Sequence, residues 1–314
     1  MPVCPITLKH FEAREEESAL YSREGLRRLH PRLITLTPLA FTVDEQVQEA
    51  AARAGKMSIQ GVQPKLSAVL KPAGNRFEVV DSGGRFILKP CPPEWREVPA
   101  NESLTMTLAA ISGIETPDHG LVAAIDGTWT YWIRRFDREG RNRRLPLEDF
   151  AQLQDLTRDT KYDSSMERVV GTVDRHCTFP AVERQKLALR VLFSFLVGNE
   201  DMHLKNFSLL RRDGNIELSP AYDLLATTLV IRDALDEMAL PIRGKKSRLT
   251  RDDLVGYFCG ERCRLPDRIL NGILGDLEKS VQAWPGVIRR SFLSEPLRGR
   301  YLALLAERRA RLFE

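Results

Sequence analysis

The alternation of apolar and polar positions divides the chain into a strand-rich part and a helical part. The stretches "QPKLSAVLKP" and "NRFEVVDSGGRFILKP" alternate with a period of two and predict strands. We expect Ser82-Gly83-Gly84 to turn the second stretch into a hairpin, and Asp126-Gly127 to turn "HGLVAAIDGTWTYWIRRFD" into another. A helix, "NESLTMTLAAISG", lies between these hairpins and ends at Gly113.

Helical periodicity dominates the rest of the chain. "TVDEQVQEAAARAGK" predicts a helix capped by Thr42, with Gly55 past its end, and "PAVERQKLALRVLFSFLVGN" predicts a long helix whose later turns are buried. "FSLLRRDGNIELSPAYDL" returns to strands. The patterns predict an α+β, two-lobed fold: residues 1–55 as an N-terminal extension packed on the N-lobe, 56–133 as a small β-rich N-lobe, and 134–314 as a mostly helical C-lobe.

Composition narrows the class of protein. The chain has 314 residues, 43% apolar and 29% charged, which is typical of a soluble globular protein. The N-terminus lacks the pattern of a secretory signal peptide. The most hydrophobic segment, "LALRVLFSFLVG", contains Arg190 and is too short to cross a bilayer. We therefore expect a cytoplasmic protein without a membrane partner. A net charge of +4 is a weak nucleic-acid signal, and five cysteines without a paired pattern predict reduced thiols.

A polar cluster interrupts two apolar segments in "FLVGNEDMHLKNFSLL". Asp201 and Asn206 have the D-x-x-x-x-N spacing of protein-kinase catalytic loops, in which the Asp accepts a hydrogen bond from the substrate hydroxyl and the Asn holds magnesium. Kinases place a second metal-binding acid after a short hairpin, as Asp223 follows "DGN" here. Ordinary turns and helix caps use the same residue types, so that alternative stays open.

Lys89, Glu102 and the loop "KMSIQGVQPKLS" each have both a kinase and an ordinary interpretation. Lys89, in the strand "FILKP", can bind ATP phosphates with Glu102 holding it, or can face solvent while Glu102 stabilises a helix N-terminus. The loop "KMSIQGVQPKLS" is not a Walker A motif. Gly61 nevertheless permits a backbone bend and Lys65 can meet a phosphate, although an ordinary turn fits equally well.

Six motifs in order, "SIQGVQPKLS", "FILKP", "NESLTMTLA", "RRFDR", "GNEDMHLKNFSLL" and "SPAYDLL", resemble the HipA family of bacterial toxin kinases over roughly residues 55–260. The chain lacks the HRD arginine, the DFG motif and the glycine loop of eukaryotic-type kinases. The resemblance implies a kinase-like fold, with residues 56–133 as the nucleotide-binding lobe and 134–314 as the catalytic lobe, and a Ser/Thr kinase that uses ATP and Mg²⁺. The short start, "CPIT…YSREGLRRLHP", resembles the HipT type.

The resemblance also implies roles for individual residues. Asp201 matches the catalytic aspartate, Asn206 and Asp223 match the metal ligands, and Ser58 matches the autophosphorylated serine, although Ser58 could also be a cap. A phosphate on Ser58 would add about −1.5 to −2 charge and oppose ATP binding. Arg134 and Phe136 would meet adenine through their backbone. The implied nucleotide-contacting residues are Gln60, Gly61, Val62, Gln63, Lys65, Lys89, Glu102, Arg134, Phe136, His203, Lys205, Asn206 and Asp223.

Partners follow from the same resemblance. It implies a toxin that phosphorylates an aminoacyl-tRNA synthetase, with tryptophanyl favoured and glutamyl possible, and so inhibits translation and growth. A small HipS-like antitoxin and a HipB-like helix-turn-helix repressor would accompany it, and DNA would be contacted only through the repressor complex. Two other hypotheses remain: a small-molecule kinase of the aminoglycoside or choline type, and a non-catalytic nucleotide-binding co-repressor.

Overall fold

Two units make up the protein in a computed structural model, which describes residues 1–12, 20–53, 63–91, 95, 97–140, 143–231 and 236–314. The first unit comprises Met1–Thr107, Pro117–Phe136 and Gly286–Ser294. The second comprises Leu108–Thr116, Asp137–Pro285 and Glu295–Glu314. Within the described residues, no helix combines the length and the apolar character needed to span a bilayer.

An antiparallel sheet of five strands supports the first unit. Its strands are β1 (Leu66–Lys71), β2 (Arg76–Val79), β3 (Phe86–Lys89), β4 (His119–Ala123) and β5 (Trp129–Arg134), in the order β2-β1-β3-β5-β4. Phe77, Phe86 and Trp132 pack on one another in its core, with ring centroids 5.2–6.1 Å apart. The strands form where the period-two pattern predicts them, and β4 and β5 pair as the hairpin predicted at Asp126-Gly127.

The connection from β2 to β3 corrects one prediction. Ala68 of β1 lies opposite Val79 of β2 on one side and Phe86 of β3 on the other, so β1 separates the two strands. The hairpin predicted at Ser82-Gly83-Gly84 is therefore wrong. Gly84 crosses directly over β1, where an added Cβ would overlap the side chain of Ser67. The turn residues indicated that the chain reverses direction, but they could not indicate that β1 would lie between β2 and β3.

Besides the sheet, the described part of the first unit contains the N-terminal segment and the helices α1 (Arg23–Leu29), α2 (Val43–Arg53) and most of α3 (Val98–Ile111). Thr42 caps α2 as predicted, since its Oγ1 accepts from the Glu45 N–H at 3.3 Å while its own N–H donates to the Glu45 carboxylate at 2.8 Å. The N-terminal segment covers β4, because the Leu121 N–H donates to the Pro5 carbonyl at 3.1 Å. This contact protects a sheet edge.

The second unit is mostly helical. Its strands are β6 (Arg138–Glu139), β7 (Arg143–Arg144), β8 (Leu147–Asp149), β9 (Ser208–Arg212) and β10 (Asn215–Leu218). Its helices are α4 (Phe150–Leu153), α5 (Met166–His176), α6 (Pro180–Val197), a π-helix (Asp252–Arg262), α7 (Asp267–Arg289) and α8 (Glu295–Phe313). The residues of α7 after Pro285 belong to the first unit. The last turns of α6 are buried on all sides, as predicted. Strands β10, β9 and β8 form a small sheet in that order.

Gly198 ends α6 with a left-handed backbone, and its replacement should destabilise the protein. In Gly198→Ala, φ of +67° is unfavourable and the new Cβ would lie 2.5 Å from Thr228 Oγ1. Gly214→Ala is a matched control, since φ is +84° but no described heavy atom lies within 4 Å of the added Cβ. We expect Gly214→Ala to cost about 1–2 kcal/mol of unfolding free energy, and Gly198→Ala about 1–3 kcal/mol more, measured by urea denaturation. Equal losses would contradict the steric argument.

Candidate functional site

The segment after α6 alternates buried apolar residues with polar ones. Met202 and Leu204 are fully buried, whereas the side chain of Asp201 is 48% exposed. The Gly198 carbonyl, just before this loop, accepts hydrogen bonds from the hydroxyls of Thr227 and Thr228 at 3.1 Å. Apolar anchors and these hydroxyls thus hold the loop rigidly while the Asp201 carboxylate faces outward.

The backbone carbonyl of Asp201 organises the loop. It accepts the Asn206 side-chain N–H at 2.7 Å and the His203 backbone N–H at 2.8 Å. Because the nitrogen end of the Asn206 amide is engaged with the loop, its oxygen end is oriented for a different contact. A carboxamide oxygen is a ligand that hard divalent cations accept, so this orientation suits the predicted role of Asn206.

Asp223 lies next to this loop and has an unusual backbone. Its φ is +59°, a left-handed conformation that non-glycine residues rarely adopt. The hydroxyl of the preceding residue, Tyr222, donates to the Lys205 carbonyl at 2.9 Å, and the charge of Asp223 acts on His203 of the loop.

The donor atoms of this region fit Mg²⁺. The described residues contain no group of three or more His, Cys, Asp or Glu side chains placed to hold a metal ion. Asn206 and Asp223 offer one carboxamide and one carboxylate, and Mg²⁺ is commonly bound through one or two carboxylates together with phosphate oxygens and water. These two residues are therefore the candidates for holding it.

His203 and Lys205 have different surroundings. His203 is buried, and this burial lowers its pKa, as does the charge of Lys161, against the opposing effect of Asp201. The Lys161 Nζ donates to the neutral ring at Nε2, 2.7 Å away. The Lys205 Nζ lies 2.6 Å from the carboxylate of Asp149, which also caps α4. Because an ammonium has three N–H donors, Lys205 can contact a phosphate while it keeps this partner.

A buried ion pair in the first unit joins β3 to α3. The Lys89 Nζ lies 2.5 Å from the Glu102 Oε1, and the two side chains are only 5% and 3% exposed. The predicted pair therefore forms. Burying two charges requires close mutual compensation, so the position of the Lys89 ammonium is closely defined.

Arg134 supports the N-terminal part of the first unit. Its backbone N–H donates to the Asp118 carbonyl at 2.8 Å, and its guanidinium donates to the carbonyls of Arg28 and Leu29 at the end of α1, each at 2.8 Å. An adenine contact through the Arg134 backbone would thus have to use its carbonyl oxygen. The predicted adenine contacts of Arg134 and Phe136 stay predictions.

The predicted phosphate loop is only partly covered by the structure. Ser58, Gln60, Gly61 and Val62 lie outside the described residues. Gln63 and Lys65 are partly buried and lead directly into β1. Their predicted contacts with phosphate stay predictions.

Comparison with known proteins identifies the family. Residues 57–284 match the family of HipA-like C-terminal domains. The chain belongs to this family. A putative kinase of Haemophilus influenzae is 28% identical over 240 residues, which cover 73% of this HipA-like chain and 69% of that relative.

HipA of Shewanella oneidensis extends the comparison in both sequence and structure. The serine/threonine-protein kinase toxin HipA is 26% identical over 208 residues, and the match covers 60% of this HipA-like chain but 47% of that toxin. A crystallised complex of HipA, HipB and operator DNA contains a chain with the same fold, at a TM-score of 0.68 and 22% identity, covering 88% of this chain and 74% of that one. The α+β, kinase-like fold predicted from the sequence is thereby confirmed.

The HipA-like motifs did not point to three residues that contact the loop. Asp149 binds Lys205, Lys161 binds His203, and Tyr162 donates a hydrogen bond to Asp201. A capping pattern, "DFAQ", could have placed Asp149 at a helix start. Lys161 and Tyr162 precede Asp201 by about 40 residues and belong to none of the motifs considered, so no spacing indicated them.

Proposed function

We propose that this chain is an ATP-dependent serine/threonine protein kinase toxin, most like the HipT type. Its substrate would be an aminoacyl-tRNA synthetase, with tryptophanyl favoured and glutamyl possible, and its effect would be to block tRNA charging and growth. The orientation of the loop around the Asp201 carbonyl supports this most directly, because it presents a carboxylate and a carboxamide oxygen from one rigid segment.

The proposed reaction transfers the γ-phosphoryl group of ATP. The acceptor hydroxyl oxygen forms a bond to phosphorus as the bond to the β–γ bridging oxygen breaks, ADP leaves, and the acceptor proton passes to Asp201. Mg²⁺ neutralises phosphate charge when bound, and Asn206 and Asp223 would hold it. Lys89, fixed by Glu102, would bind ATP phosphates, and the loop at residues 60–65 would surround them.

Regulation and partners are part of the proposal. Autophosphorylation of Ser58 would place negative charge beside the ATP phosphates and reduce binding. A HipS-like antitoxin and a HipB-like repressor would bind the protein, and DNA would be reached through the repressor. Shewanella oneidensis HipA has been crystallised with HipB and operator DNA, which supports a HipB-like partner for the present HipA-like chain.

A phosphoproteome comparison tests the proposal. The chain and its Asp201→Gln variant are induced separately in the same host, and phosphopeptides are quantified with growth. We expect growth arrest and a new phosphosite on a tRNA synthetase only with the wild-type chain, since the variant lacks the carboxylate that orients the acceptor. Peptides containing Ser58 should carry phosphate in the wild-type protein alone.

Two outcomes would favour the other hypotheses. Transfer of ³²P to a metabolite but to no protein would support a small-molecule kinase. ATP binding without turnover, together with DNA retention that depends on this chain, would support a co-repressor. Identical phosphoproteomes and growth for the two variants would refute the proposed kinase.

A further inference from the structure

Tyr162 contacts the candidate catalytic carboxylate directly. Its hydroxyl donates to the Asp201 Oδ1 at 2.6 Å, although the two residues are 39 positions apart. Tyr162 lies in the connection between α4 and α5, outside every motif that indicated a kinase. A hydrogen bond to an ionised carboxylate is among the stronger interactions available to a side chain, so this contact constrains the orientation of Asp201.

Other contacts fix Tyr162 in this position. Its ring packs edge-on against His203 with centroids 5.1 Å apart, and the Lys161 Nζ lies 4.9 Å from the centre of the Tyr162 ring. Lys161 is held in turn, because its Nζ donates to His203 and its carbonyl accepts the Leu204 N–H at 3.3 Å. Tyr162 is therefore attached to the same loop that carries Asp201.

The chemistry of the pair leaves room for a substrate. Partial burial of the hydroxyl and its hydrogen bond to Asp201 both raise the pKa of Tyr162, so the hydroxyl stays protonated and remains a donor. A carboxylate has two oxygens that can accept hydrogen bonds. Tyr162 engages Oδ1, and the half-exposed side chain of Asp201 allows an acceptor hydroxyl to approach the other oxygen.

We propose that Tyr162 is a positioning residue that fixes the Asp201 carboxylate so that its second oxygen meets the acceptor hydroxyl. This inference rests on the proposed kinase function. Positioning is a large part of catalysis in phosphoryl transfer, and a carboxylate that rotates about its side-chain bonds would meet the acceptor less often. The binding of ATP does not require this contact.

The test compares Tyr162→Phe with the wild-type chain, with purified tryptophanyl- and glutamyl-tRNA synthetases as acceptors. Loss of a hydrogen bond to a charged group predicts a kcat for protein phosphorylation about 10- to 100-fold lower, with KM for ATP unchanged. Tyr257→Phe is the matched control, since the charge of the Glu167 carboxylate acts on the Tyr257 hydroxyl outside the proposed site, and it should leave kcat as it is.

A double-variant cycle separates positioning from a purely structural role. If Tyr162 acts through Asp201, Tyr162→Phe should lower kcat in the wild-type background and have little further effect in an Asp201→Asn background. Equal losses in both backgrounds, an unchanged kcat, or phosphate found on Tyr162 itself would overturn the inference while the kinase function stands. A wild-type chain that phosphorylates neither synthetase would count against the proposed function first, and this inference with it.

Discussion

Asp201→Asn should lower the rate of phosphoryl transfer to protein by about 10²- to 10⁴-fold, with little change in ATP affinity. The substituted side chain has nearly the same shape, and the backbone carbonyl that holds Asn206 is unaffected. Only the carboxylate that would orient the acceptor hydroxyl and take its proton is lost. The measurement is ³²P transfer at saturating ATP, with nucleotide affinity determined separately by fluorescence.

Asp213→Asn provides the control for this substitution. Asp213 lies in the turn between β9 and β10, its side chain is 76% exposed, and its φ of +49° is a conformation that asparagine tolerates. The Asp213→Asn variant should retain the full rate of phosphoryl transfer. If Asp201→Asn also retained the full rate, the carboxylate at the centre of the proposed site would have no role in transfer.

Lys89→Met should have the second large effect, on stability and activity together. It removes the cation that compensates the buried Glu102 carboxylate. Removing one partner of a buried ion pair costs about 3–5 kcal/mol of unfolding free energy. We also expect ATP binding to be lost, because the proposed phosphate contact disappears. Urea denaturation and nucleotide titration measure the two effects.

The double variant Lys89→Met/Glu102→Leu distinguishes these two effects. Replacing both charged side chains by apolar ones leaves no buried carboxylate, so most of the lost stability should return. ATP binding should not return, because the ammonium is still missing. Recovery of both would show that Lys89 maintains the fold and has no contact with nucleotide.

Local patterns predicted the elements of the fold better than their pairing. The period of two located the strands and the all-round apolar run located α6. Pairing between β1 and its two neighbours depends on tertiary packing, which brings Ala68 between Val79 and Phe86. A turn sequence such as Ser82-Gly83-Gly84 contains no information on that choice.

The candidate site shows the same limit. The spacing of Asp201 and Asn206 could be recognised because the two residues lie five positions apart in one short loop, which limits the distance between them. The contacts of Tyr162 with Asp201 and of Lys205 with Asp149 join residues 39 and 56 positions apart. Only the folded chain brings such residues together.

Because residues Gly286–Ser294 belong to the first unit, this unit can be completed only late in synthesis. The Phe292 ring packs on Trp129 with centroids 4.9 Å apart, and the Ser294 N–H donates to the Glu97 carboxylate at 2.6 Å. A nascent chain cannot make these contacts until the ribosome has translated the whole helical segment that separates Trp129 from Phe292. The first unit would therefore remain incomplete while that segment is being translated.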